Sequence, residues 1–213
     1  MGKIDRRLFL QGLSAATAGG LTTWVHHALA ADPNALRQGV HQIKGEVAVN
    51  GTAVREGAAI KRGDVVTTSA GAHAVFVLGD NAFLQRENSR VDFGASSAAT
   101  FMRVVTGGLL SVFGRGHRQL ATTVATIGIR GTGCYIETDA RKTYFCLCFG
   151  SVDLQPLNGP SSSYSTTHHE KPLWVEDGKT MPATVVNHTD AEIIMLEALV
   201  GRGSPFPRGG SKY

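Results

Sequence analysis

Three cysteines and a pair of adjacent histidines carry most of the chemistry in this 213-residue chain. Cys146 and Cys148 stand two apart in the segment TYFCLCF, Cys134 precedes them, and His168 and His169 follow a serine-rich stretch. Thiolate sulfur and imidazole nitrogen are ligands for soft or borderline ions, and side chains two apart on a strand can converge on one ion. Cys146, Cys148 and His168 (or His169), with one position left open, would suit Cu, Zn or Fe. Adjacent side chains of an extended chain point opposite ways, so one histidine of the pair is expected to ligate unless the backbone bends.

Other arrangements of the same thiols compete. A three-residue loop at Asp139–Arg141 would set Thr138 against Lys142 and Cys134 directly across from Cys146. Directly opposed residues have Cα atoms about 4.5–5.5 Å apart, inside the range for a disulfide. That register puts Cys134, Ile136, Tyr144, Cys146 and Cys148 on one face, and Tyr135, Phe145, Leu147 and Phe149 on the other, expected to be the core face. A Cys146–Cys148 bond would span roughly 7 Å of regular strand, near the upper limit, and would be strained and redox-labile. The plainest arrangement is buried structural cysteines beside a histidine pair in a surface loop. Three cysteines leave one thiol over in any intramolecular disulfide scheme.

The elements that must position these residues read as short strands. GDVVTT, GAHAVFVLGDNAFLQ, RVDF, FMRVVTGGLLSVFGRG and ATTVATIGIRGTGCYIE are rich in β-branched and aromatic residues and broken by glycine-containing turns. Many short strands at even spacing predict an all-β fold, an antiparallel sandwich, rather than α/β. Lys44–Val49 reads as a strand, and Asn50-Gly51 predicts a type I′ hairpin because both residues tolerate positive φ. Gly114–His117 reads as a loop with a cationic rim, of the kind ordinarily solvated. Arg130, among Gly128, Gly131 and Gly133, is expected to cap loop carbonyls and hold a bend. Pro172–Val175 and Thr180–His188 read as further extended segments. Thr189 with Glu192 forms a capping-box pattern, and Ile193, Leu196 and Val200 recur at helical spacing before Gly201, which predicts a short helix over 190–200 lying against the sandwich.

GDVVTT, the GAHAVFVLGDNAFLQ hairpin, GGLLSV and ATIGIRGTGCYIE resemble the FecR domain of bacterial envelope proteins over residues 43–137. The most specific piece is Gly128-Ile129-Arg130-Gly131-Thr132. The resemblance implies a jelly-roll-like antiparallel β domain acting in envelope sensing or scaffolding, with an envelope protein or a small ligand as partner. The family's familiar arrangement, with a cytoplasmic region and a membrane helix ahead of the domain, controls a cytoplasmic sigma factor. Here Arg6-Arg7-Leu8-Phe9-Leu10 and a weakly apolar segment lead to Ala28-Leu29-Ala30. This pattern resembles a twin-arginine export signal, a route that carries folded proteins, often with a cofactor already inserted.

The expected organisation is a signal over 1–30, a lead-in over 31–42, a FecR-like β domain over 43–154, a C-terminal extension over 155–201 and a disordered tail over 202–213. The expected location is the periplasm, with no membrane span after signal cleavage. The formal charge of +4 misleads, because Lys3, Asp5, Arg6 and Arg7 carry a net +2 and Arg202, Arg208 and Lys212 carry +3, leaving the body at −1. No basic stripe remains for phosphate, so nucleic acid is not an expected partner. The sequence has no G-x-S-x-G elbow, no phosphate-cradling glycine loop and no metalloprotease helix, so a non-catalytic binding module is expected. A small exported metallo- or thiol-redox protein using Cys146 and Cys148 is the alternative.

Overall fold

A computed structural model describes residues 38–94 and 100–206. The expected export signal, most of the lead-in, residues 95–99 and the last residues of the tail lie outside these.

Among the described residues the chain is all-β with one short helix. The fourteen strands are β1 (Gly39–Lys44), β2 (Val47–Val49), β3 (Thr52–Ala53), β4 (Val65–Thr68), β5 (His73–Leu78), β6 (Asn81–Gln85), β7 (Ser89–Asp92), β8 (Thr100–Val112), β9 (His117–Ala121), β10 (Ala125–Thr138), β11 (Lys142–Pro156), β12 (Ser162–Thr166), β13 (Leu173–Glu176) and β14 (Lys179–Pro182), followed by α1 (Asp190–Leu199). They join in one sheet, with the main path β14-β13-β11-β10-β9-β8-β7-β4-β2-β3. The pairing is antiparallel except between β8 and β9, which run parallel, so the sheet is mixed rather than wholly antiparallel.

Long strands let this one sheet wrap a core. The first half of β10 pairs with β9 and its second half with β8. Likewise β11 pairs with β12 over residues 150–154 and with β13 over residues 142–145. Val47 near one end of the strand order and Val175 near the other belong to the same buried cluster. Its centre is aromatic: Phe76, Phe83, Phe93 and Phe113 meet with centroids 5.2–5.8 Å apart, the offset and edge-on arrangements that ring quadrupoles favour.

The opposite face of β5, β6, β8, β10 and β11 is apolar as well. Val75, Val77, Leu84, Leu110, Val112, Tyr135, Tyr144, Cys146 and Cys148 form a second cluster, closed by Ile193, Met195 and Leu196 of α1 and by Phe206. Alternation along the strands separates the clusters: Ala74 and Phe76 point one way, Val75 and Val77 the other. This sheet face is buried on both sides because the C-terminal segment covers it.

Several expected boundaries move. The strand read at Lys44–Val49 is split in two, because Gly45 takes φ +73° between β1 and β2. Strand β1 begins inside the expected lead-in. Thr106-Gly107-Gly108 does not interrupt β8; Gly107 sits at φ +80° within it, where a Cβ would meet Ser89. The serine-rich stretch supplies β12, and the strand expected over Thr180–His188 ends at Pro182. The Asn50-Gly51 turn has φ values of +52° and +79°, as a type I′ hairpin requires.

Candidate metal centre

The β10–β11 hairpin sets the positions of the cysteines. Asp139 N–H donates to the Lys142 carbonyl at 3.1 Å, and the Asp139 carboxylate accepts from the N–H groups of Arg141 and Lys142 at 2.8 and 3.0 Å. The tip is therefore Ala140-Arg141, one residue shorter than the expected loop, and Thr138 pairs with Thr143. Their hydroxyls bond at 2.7 Å. A one-residue change moves side chains to the other face. Cys134 lies across from Leu147 and points into the first cluster with Ile136 and Phe145, while Cys146 lies across from Tyr135 in the second. The three thiols do not share a face. Neither the Cys134–Cys146 bridge nor the Cys146–Cys148 bridge is formed; all three are free and buried.

Two further segments bring nitrogen to Cys146 and Cys148. After β12 the chain makes a tight turn whose amides are capped by Glu170, which accepts from the N–H of Thr167 at 2.8 Å and of His168 at 3.0 Å. His169 then takes φ +56°, a left-handed conformation costly for a residue other than glycine, and its N–H donates to the Cys148 carbonyl at 3.0 Å. The bend sends His169 inward beneath β11, where it is 1% exposed. The second segment, residues 183–188, crosses the same sheet face. Tyr144 anchors it, its hydroxyl donating to the Thr184 carbonyl at 3.0 Å and accepting from Val186 N–H at 3.3 Å. It delivers His188, 5% exposed and stacked on Tyr135 at 4.8 Å. Thr189 then caps α1 through a complete capping box with Glu192.

One ligand atom from each of Cys146, Cys148, His169 and His188 lies within 4.8 Å of all the others, and all four residues are buried. His169 Nδ1 is 3.4 Å from Cys146 Sγ and 3.1 Å from His188 Nε2. No motif in the sequence marks His188, the end of the segment expected as a strand; it is 42 residues from Cys146 and only the path of the chain brings it there. His168 lies on the rim of this group. Its Nε2 is 2.9 Å from one oxygen of Asp190, while His169 Nε2 is 3.1 Å from the other, and its ring stacks on Phe206 at 4.4 Å.

The two thiols ionise unequally. Hydrogen bonding from Cys148, with the His169 and His188 rings beside the sulfur, holds Cys146 well below the ordinary thiol range, against the effect of its burial. Burial and the neighbouring sulfur push Cys148 up, and burial pushes Cys134 up. Cys146 is thus the sulfur prepared to be a thiolate. Thiolate sulfur and imidazole nitrogen are the donor types that a soft or borderline ion takes.

No family model matches the chain, and no curated protein matches it. Among solved structures it is similar to two crystal structures, at 1.65 and 2.50 Å, of a candidate anti-sigma factor from Parabacteroides distasonis. Each aligns at 11% identity with a TM-score of 0.46, covering 56% of this chain and 58% of that one.

The other expected features sit apart from the centre. Arg130 does not cap loop carbonyls: it pairs across the strands with Asp153 at 3.0 Å, both exposed. At the 113–116 loop, Arg118 pairs with Asp80 at 2.7 Å and donates to the carbonyls of Gly114 and Arg115. Among the described residues no helix is long and apolar enough to cross a membrane.

Proposed function

We propose that this protein is a non-catalytic binding module whose second apolar layer is built round a transition-metal ion held by Cys146, Cys148, His169 and His188. The observation that supports it is the convergence of four buried donor atoms from three separate segments of the chain. Sulfur and imidazole donors select Cu, Zn or Fe over hard cations. Complete burial of both cysteines leaves no face for a substrate, which favours a structural or sensing role over catalysis. The FecR-like motifs between residues 43 and 137 support a role in the bacterial envelope, and the Arg6-Arg7 segment favours export to the periplasm by the twin-arginine route. An envelope protein or small ligand would then meet loops on a rigid β scaffold.

The thiol-redox alternative draws on the lowered ionisation of Cys146 alone. Burial of both sulfurs opposes it, because exchange requires access to the attacking thiolate.

Metal analysis of the full chain purified after native export tests the proposal. One ion per chain is expected, with Cys146→Ser and His188→Ala each losing it. Metal-free protein, together with a Cys146→Ser variant that behaves as the parent does, would overturn the proposal.

A further inference from the structure

Starting from the metal reading above, we infer that the centre is coordinatively closed: it takes a zinc-class dication on four protein ligands with no water, and Asp190 orients it from the first turn of α1. The argument begins with the outward-facing nitrogens of the two histidines. His188 Nδ1 lies 2.7 Å from the Val186 carbonyl oxygen, which can only accept, so this nitrogen carries the proton and Nε2 presents a lone pair. His169 Nε2 lies 3.1 Å from a carboxylate oxygen of Asp190, so it is the protonated nitrogen and Nδ1 presents a lone pair. These two lone pairs face each other at 3.1 Å, with Cys146 sulfur 3.4 Å from one of them. Electron-rich atoms converging in a dry site repel unless a proton or a metal ion lies between them, and the single proton of each neutral ring is already held by its outward partner.

The spacing fits a tetrahedral ion. Zinc–nitrogen and zinc–sulfur bonds of about 2.05 and 2.3 Å give tetrahedral edges of about 3.3 Å between nitrogens and about 3.6 Å between nitrogen and sulfur. The observed 3.1 and 3.4 Å lie a few tenths below these. Cys148 supplies the fourth corner, so the open position expected from the sequence is filled by His188 rather than by solvent. Charge narrows the choice of ion. With both cysteines ligating as thiolates, a dication balances the four ligands, whereas Cu(I) would then leave an uncompensated negative charge among Val77, Leu110 and Leu196. Among dications, zinc accepts four tetrahedral S and N ligands without electronic preference and outranks Fe(II) in affinity.

The partners beyond the ligands follow the pattern of metal-binding histidines, which donate their second N–H to a carboxylate or a carbonyl. Asp190 is also the first residue of α1 and holds His168 with its other oxygen, so it is a positioning residue joining helix, turn and ion. The ion would therefore clasp residues 183–200 and the 167–170 turn onto β11, as a disulfide does in other small domains.

The test uses the full chain stripped of metal and titrated with Co(II), then with Zn(II). Expected are the intense visible bands of four-coordinate cobalt with thiolate charge transfer at one ion per chain, displaced by Zn(II). X-ray absorption of the zinc form should show two sulfurs and two nitrogens, and zinc should slow amide exchange over residues 183–200. Asp190→Asn should bind zinc about ten- to a hundredfold more weakly with the cobalt spectrum unchanged and with the metal-free melting temperature of the parent, which separates positioning from loosened packing. Pale six-coordinate cobalt, or a light scatterer in place of one ligand, overturns the closed site and leaves the metal reading standing. No binding of either ion overturns both.

Discussion

At the residue scale, Asp139 decides more than its exposed position implies. Its carboxylate gathers the Arg141 and Lys142 amides into a two-residue tip, and that tip sets which face each cysteine occupies. The same two amide bonds hold its carboxyl below the ordinary value of 3.8. A depressed carboxyl stabilises the fold above its ordinary value and loses that contribution as the pH falls through its lower, folded value. Asp139→Ala should therefore melt below the parent at neutral pH, and the two curves should converge as the pH drops below 3.8. Amide exchange at Arg141 and Lys142 should rise in the variant; unchanged exchange would show that the tip holds its shape without this side chain. The cysteine pair was legible from its spacing. The face of Cys134 was not, because it depends on the length of a loop whose residues permit either count.

At the element scale, α1 is weak alone and strong in place. Ten residues are too few for a stable isolated helix. Its stability comes from a complete capping box at Thr189 and Glu192 and from Ile193 and Leu196 buried against the sheet. Its far end closes with Gly201 at φ +70° and with the Gly201 and Arg202 amides returning to the Ala198 and Glu197 carbonyls at 3.1 and 2.9 Å, a Schellman closure. Thr189→Ala should cost about 1 kcal/mol by denaturant titration, and Leu196→Ala about 2–5 kcal/mol because the site is enclosed. Equal losses for the two would argue that α1 is held by its cap rather than by its buried face. Helical period and the capping pair were readable from the residues alone. The end of β14 at Pro182 was not, since residues 184–188 have an extended composition but spend their polar groups on Tyr144, Glu137 and Arg86 instead of on a neighbouring strand.

At the scale of the whole molecule, the C-terminal segment works as a cover. Arg86 joins its start to the sheet through Glu192 at 2.8 Å and the Asn187 carbonyl, while Arg202 joins its end through Glu197 and the Asp80 carbonyl. Glu197 is on the buried side of this cover, and burial raises its carboxyl above the ordinary range although Arg202 opposes the shift. A raised carboxyl favours folding most at low pH, and that advantage is lost as the pH climbs through its raised value. The melting temperature of Glu197→Gln relative to the parent should therefore rise from acid to neutral pH. A difference that stays flat with pH would mean that Arg202 compensates the burial fully.

By itself the sequence determined the all-β class, the Asn50-Gly51 turn, the capped helix and the chemistry of the CLC pair. Each rests on local steric preference or on residue type, and these act over a few positions. Tertiary structure alone decided that Cys134 leaves the group and that His188 joins it. Sheet register and the path of the cover over β11 are settled by packing between residues far apart in the chain, where the amino-acid order carries no local signal.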